Sequence, residues 1–318
     1  FMLTFLEFTV GSFSDVCSSI QIFLKQNGWT IANYASDDGL TSFSAAKSGT
    51  TLLFLFADNK PLYNETVTFT NGAVRMYFDG CSSDRSVAAM FAYPMRCLFF
   101  ELAGNSIILS FEIGGNKWAH VLCANIVGNP NGVTKFIHST HVPFICRYNY
   151  SNIAQTDIDI LSSNNLYNKN RCFGNQFLST IPLWYYYYTS YNSNSTYKED
   201  SVSIEINGVW NDSYTSSNTI STVNNAPTIG NTLYDNNAHW INKIGRNMLT
   251  GTPVLYPIVY VYTKDQPPKY LFQVPDIYAC AASVCKQGEK FSLGSQQYIA
   301  LPFGEWLPNA ACMAVRCN

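Results

Sequence analysis

The chain has 318 residues, of which 47% are hydrophobic, 15% aromatic and only 13% charged. The apolar share suffices for a sizeable core, while the charged share is roughly half of the usual 25% or so. Nineteen Lys and Arg stand against 21 Asp and Glu, for a net charge of −2, and no basic run occurs, which argues against the patch or stripe that nucleic-acid binding needs.

Scarce charge fits two situations. A protein that spends much of its surface in permanent contacts needs fewer solvating charges, because the fully buried parts of interfaces are depleted in them. Alternatively, an extracellular β-protein keeps itself in solution with Asn, Ser and Thr. The opening segment Phe1 to Glu7 has no charged leader region and is interrupted by Glu7, which speaks against a signal peptide. No apolar run approaches the roughly 18 residues that span a bilayer. The longest candidate, Val254 to Tyr262, contains Pro257 and is strand-length, so no membrane partner is expected.

In chain order, the first clear element is a helix. Ser12 or Ser14 can cap it, and Asp15 suits its first turn. Val16, Ile20, Phe23 and Leu24 fall on one helical face. Asn27-Gly28 supplies a left-handed stop, and Trp29-Thr30-Ile31 leaves as a strand. The period then becomes two. Thr51 to Phe56 is a short apolar run and Val74 to Phe78 alternates. Residues 94 to 102 suit a strand or a short helix. Ser106 to Ile113 and Trp118 to Ile126 flank Gly114-Gly115-Asn116 and read as a β-hairpin.

Residues 149 to 250 are dense in Asn, Ser, Thr and Tyr. Within them Ser201 to Val209 alternates as a half-buried strand, and residues 189 to 200 and 211 to 237 read as long loops. Strand signals return in Val254 to Tyr262 and Tyr270 to Val274, which pair as a meander. Phe291 to Leu293 and Tyr298 to Leu301 follow about Gly294-Ser295, and Cys312 to Arg316 closes the series. The expected fold is α+β and predominantly β, with antiparallel, sandwich-like sheets, one N-terminal helix and long polar loops. Three regions follow: 1–148, a helix plus β domain; 149–250, a loop-rich Asn/Ser/Tyr region; and 251–318, a β segment that can pack against the first.

Ten cysteines occur, and the last four form two C-x4-C pairs, Cys280/Cys285 and Cys312/Cys317. Three readings stay open: a zinc site of four thiolates, for which the spacing is a loose fit; disulfides within or across the pairs; and reduced, partly buried thiols. Disulfides involving Cys280, Cys285, Cys312 and Cys317 are the expectation carried forward, with no metal and no cofactor. His138 and His141 stand three apart in a strand-like segment, where such residues face opposite ways. Asp157 and Asp159 share a strand face, and Glu101 and Glu112 lie in apolar surroundings. None has a partner that the sequence fixes, so they read as rim carboxylates rather than a glycosidase pair. Gly128 to Gly132 reads as a turn, and no motif of catalytic geometry is present. Trp184-Tyr185-Tyr186-Tyr187-Tyr188 with Tyr191 is the most aromatic stretch. It suits core or interface packing, or alternatively a platform on which sugars stack.

Several of these segments, taken in order, resemble a group of tailed-bacteriophage virion structural proteins. They are the helix followed by Asn27-Gly28-Trp29-Thr30-Ile31, the run Val74 to Phe78, and the strand pair Ile107 to Ile126. In the tail they are Leu255-Tyr256-Pro257-Ile258, Gln273 to Tyr278, and the glycine-containing hairpin into Tyr298 to Pro302. The resemblance implies a non-enzymatic tail, neck or baseplate component, assembled in the host cytoplasm into the virion. It would stand in a ring with copies of itself beside other virion proteins. The alternative within the same setting is a receptor- or glycan-binding tail protein that uses the 184–191 aromatics.

Overall fold

The computed structural model describes residues 4–59, 72–81, 87–89, 93–114, 117–139, 188–189, 196–197, 202–212, 229–231, 247, 249–262, 269–302 and 311–318. Strand β1 (Thr4–Val10) leads into the helix α1 (Phe13–Gln26). Ser12 caps the helix: its Oγ accepts the N–H of Asp15 at 3.3 Å, and Asp15 Oδ2 accepts the N–H of Gly11 at 3.1 Å. The helix ends where the sequence indicated. The Gly28 N–H donates to the Lys25 carbonyl, the Trp29 N–H donates to the Leu24 carbonyl, and Gly28 adopts φ +77, a closing pattern that glycine favours.

Four strands follow, β2 (Thr30–Asp37), β3 (Leu40–Lys47), β4 (Thr50–Ala57) and β5 (Ala73–Phe78), then the short β6 (Val87–Ala89). They form a five-stranded antiparallel sheet in sequential order. The next four are β7 (Met95–Leu102), β8 (Ser106–Gly114), β9 (Lys117–Asn125) and β10 (Val133–Ser139). The segment that suited strand or helix is therefore a strand, and the Gly114 hairpin forms as read. Two-residue strands β11 (Tyr188–Thr189) and β12 (Thr196–Tyr197) pair with each other.

The stretch read as one strand from Ser201 to Val209 is a hairpin. Strand β13 (Val202–Ile206) turns at Asn207 (φ 51) and Gly208 (φ 80) into β14 (Val209–Asp212). An Asn-Gly pair supplies two positive-φ residues for a tight turn, and here that outweighs the alternation. A short strand, β15 (Ile229–Asn231), lies in a segment read as loop and pairs with β16 (Tyr256–Tyr262). The C-terminal part continues with β17 (Lys269–Ala281), β18 (Lys290–Leu293), β19 (Gln296–Leu301) and β20 (Ala311–Arg316). The β16–β17 meander and the β18–β19 hairpin match the sequence reading.

A central sheet has the order β1-β7-β8-β9-β10-β13-β14, and a C-terminal sheet has the order β15-β16-β17-β20-β19-β18. The central sheet is buried on both faces. Cys97, Phe99, Leu109, Phe111, Val121 and Cys123 face one core, whereas Leu98, Phe100, Ile108, Trp118, Leu122 and Ala124 face another. This is the period-two alternation of a strand, with apolar residues on both phases. The first core is closed by Val16, Ile20, Phe23 and Leu24 of α1 and by Phe43, Phe54, Phe56 and Met76 of the five-stranded sheet. The second is closed by Phe272, Val274, Ile277, Ile299, Met313 and Val315 of the C-terminal sheet.

Polar ties pin these layers together. Arg96 on β7 donates from Nε to Glu7 on β1 at 2.6 Å and from Nη2 to the carbonyl of Gly288 at 2.9 Å. Gly288 has φ +67, and a Cβ there would run into the Arg96 guanidinium. Asp276, itself at φ 59, accepts the N–H of Ala103 at 3.1 Å.

Phe99 sits at the middle of the first core. Its ring lies 5.4 Å from Phe8, 5.7 Å from Phe23 and 5.8 Å from Phe111. Phe99→Ala is expected to cost about 3–5 kcal/mol of stability, read as a lower denaturant midpoint with an unchanged slope.

Candidate functional site

Antiparallel register places Cys280 of β17 directly opposite Cys312 of β20, so both side chains project from the same face. Strand β17 ends at Ala281, and a 3-10 turn over Ala282–Val284 follows. The N–H of Cys285 donates back to the Ala282 carbonyl at 3.4 Å, and the reversal carries Cys285 over Cys280. The Cys280 sulfur ends 3.2 Å from that of Cys312 and 3.8 Å from that of Cys285. All three sulfurs lie within 4.8 Å of one another. These are contact separations, well beyond the roughly 2.05 Å of an S–S bond.

Cys317 does not join them. It lies five positions after Cys312, an odd step that turns it to the opposite face, where it packs into the core against the central sheet. Three of the four C-terminal cysteines singled out in the sequence are thus brought together and the fourth is kept apart. The cluster lies on the outer face of the C-terminal sheet with Tyr298, Ala300 and Ala314, and Tyr278, Phe291 and Leu293 pack around it. Tyr298 stacks on Phe291 at 5.6 Å and meets Tyr278 edge-on at 5.8 Å. Cys280 and Cys312 are buried and Cys285 is half-buried. The hydrogen bond with Cys285, reinforced by burial, pushes the Cys280 thiol well above its ordinary range, against the opposing effect of Cys312. Burial, with the neighbouring thiols, does the same for Cys312. Unaided, these thiols stay protonated; only a strong electrophile in the site, a metal ion or an oxidant, would change that.

A second polar group lies inside the second core. His120 on β9 is opposite Ser110 on β8. Its Nδ1 is 2.8 Å from Ser110 Oγ and its Nε2 is 2.8 Å from the Pro302 carbonyl. A carbonyl can only accept, so Nε2 carries the proton and Nδ1 accepts from the serine hydroxyl. Both residues are fully enclosed, and the His120 ring stacks on Trp118 at 6.3 Å. The His120–Pro302 bond therefore joins the central sheet to the C-terminal segment, and Ser110 holds the imidazole in place for it. The sequence showed His120 only as one of four histidines. Its position opposite Ser110 in the hairpin was the available signal.

No protein-family model matches the chain, and no curated protein matches it significantly.

Other residues singled out in the sequence are placed as follows. Glu101 is buried and paired with Lys47 at 2.5 Å, so its apolar surroundings hold an ion pair. Burial raises the Glu112 carboxyl, against the opposing Arg96 charge. His138 lies in β10. His141, Asp157, Asp159, Trp184, Tyr185, Tyr186, Tyr187 and Tyr191 lie outside the described residues, and Tyr188 is placed only as a backbone partner of Tyr197 in β11.

Burial depresses the His120 imidazole from 6.5 to about 4, with the Pro302 bond opposing. The folded state therefore holds fewer protons than the unfolded state between these values. Stability is full above pH 6.5 and is lost as the pH falls toward 4, by on the order of 3 kcal/mol from this group. Urea unfolding of wild type and His120→Gln across that window checks it: the wild-type curve should fall more steeply, by about one proton's worth.

Proposed function

We propose that the protein is a non-catalytic assembly subunit of a tailed-bacteriophage virion, built into a ring with copies of itself and joined to other virion proteins. The observation that carries this reading is strand β2. It is the terminal strand of its sheet, with no neighbour beyond it among the described residues, and seven of its eight residues are exposed. Its sequence, Thr-Ile-Ala-Asn-Tyr-Ala-Ser-Asp, has no Lys, Arg or Pro and only the terminal Asp37 as charge. A monomer normally blunts such an edge with charge, proline or cover, because unpaired N–H and C=O groups recruit another strand.

The register identifies which groups would do so. Asp37 and Leu40 close a two-residue turn at Asp38 (φ 41) and Gly39 (φ 78). In such a hairpin the closing pair exchanges both backbone bonds and the next pair does not. The N–H and C=O of Ser36 thus point away from β3, beside Tyr34, a residue 60% exposed. A ring also needs a second, different face. Strand β14 ends the central sheet and exposes Val209 by 62%, which supplies a candidate. Low overall charge, 13%, agrees with two such faces being covered.

Sedimentation and electron microscopy of the purified chain test the reading. The wild type should form a closed oligomer. Ser36→Pro, which removes one outward donor, and Tyr34→Lys, which adds an edge charge, should each weaken association by about ten-fold or more and leave the far-ultraviolet circular dichroism unchanged. A wild type that stays monomeric at tens of micromolar, alone and with the other virion proteins, would sink the proposal.

A further inference from the structure

The three sulfurs on the outer face of the C-terminal sheet carry an inference that stands apart from assembly. We propose that Cys280, Cys285 and Cys312 form a binding site for a thiophilic divalent cation of the zinc type, with its remaining coordination position filled from solvent beside Cys285.

The geometry is that of a ligand set. Zinc–thiolate bonds of about 2.3 Å in a tetrahedron set the sulfurs about 3.8 Å apart. Cys280 and Cys285 stand at 3.8 Å, Cys280 and Cys312 at 3.2 Å, and no pair exceeds 4.8 Å. Accommodating the ion needs the closest pair, now at 3.2 Å, to open by about 0.6 Å and the third pair, within 4.8 Å, to close by up to about 1 Å, both within the reach of side-chain rotation. The three donors come from two adjacent strands and the turn that ends one of them, so backbone hydrogen bonding fixes their approach before any ion arrives. Rigid presentation of this kind lowers the ordering cost of binding.

The number of sulfurs separates the cation from the disulfide. A disulfide uses two sulfurs and leaves the third as a free thiol beside it. A cation uses all three. Binding replaces three S–H bonds by three sulfur–metal bonds and releases the three protons to water, with no change of oxidation state. Three thiolates on a divalent ion leave one net negative charge, and the half-buried position of Cys285 gives that charge and the fourth ligand access to solvent. None of the other five described cysteines joins this group: Cys17, Cys81, Cys97 and Cys123 belong to the first core and Cys317 to the second.

The test uses the full-length chain, purified under reducing conditions and titrated with zinc and, separately, with cobalt(II) as a coloured probe. About one ion per chain should bind, and the cobalt form should show the intense near-ultraviolet bands of thiolate ligation with visible bands of tetrahedral geometry. Cys285→Ser, at the least buried of the three, should weaken binding by about 100-fold and, at saturating cobalt, lower the thiolate bands from the intensity of three ligands toward that of two. Cys317→Ala, on the opposite face, should bind as wild type. Thermal melts of both variants in the absence of metal show that they are folded before the comparison is made. The proposal is overturned by absence of stoichiometric binding, by cobalt spectra without thiolate bands, by Cys285→Ser binding like wild type, or by peptide mapping of the native protein that finds Cys280 and Cys312 joined as a disulfide.

Discussion

The fold depends on one constraint: a central antiparallel sheet that is apolar on both faces. A sheet of this kind has no solvent side, so it exists only when another layer covers each face. Helix α1 and the five-stranded sheet cover one, and the C-terminal sheet covers the other. The layers are therefore interdependent. Removing the C-terminal strands would expose Leu98, Phe100, Ile108, Trp118 and Leu122 together, a patch far larger than a soluble protein tolerates.

The same constraint decides where polar groups go. A polar side chain on a central strand must find its partner inside the protein, because burial without a bond is costly. Ser110 and His120 do so by bonding each other and the Pro302 carbonyl, and Glu101 by pairing with Lys47. Arg96 and Asp276 tie the central layer to the C-terminal one through backbone partners. In a chain with so few charges, several of them are spent holding layers in register.

Legibility from sequence follows the same physics. Helix α1 was readable because its signals are local: a Ser12 cap, one apolar face and the Asn27-Gly28 stop all point to the same limits. The hairpins at Gly114 and Gly294 were readable for the same reason. Residues 94 to 102 were ambiguous because a strand buried on both sides loses the alternation that distinguishes it from a helix. Strand β1 carries little strand signal in the sequence, because its apolar opening run also has the look of a leader; its partner β7 lies about 90 residues away. Strand β3, with Ser42 and Ser44 among small residues, carries little apolar signal of its own and is defined by its two Gly-containing turns.

The thiol cluster shows how far spacing alone reaches. Two C-x4-C pairs suggested a four-cysteine unit, and the same spacing produced opposite outcomes. Cys280 and Cys285 meet because the strand ends between them, whereas Cys312 and Cys317 part because β20 stays extended through Arg316. An odd step along a strand separates faces and an odd step across a turn need not. What brought Cys312 to Cys280 was a pairing between strands 32 residues apart, which the sequence does not display. The outer face of the C-terminal sheet, rather than the cysteine spacing, is thus the feature that assembles the site, and it is the one face of that sheet left over once the central layer has been covered.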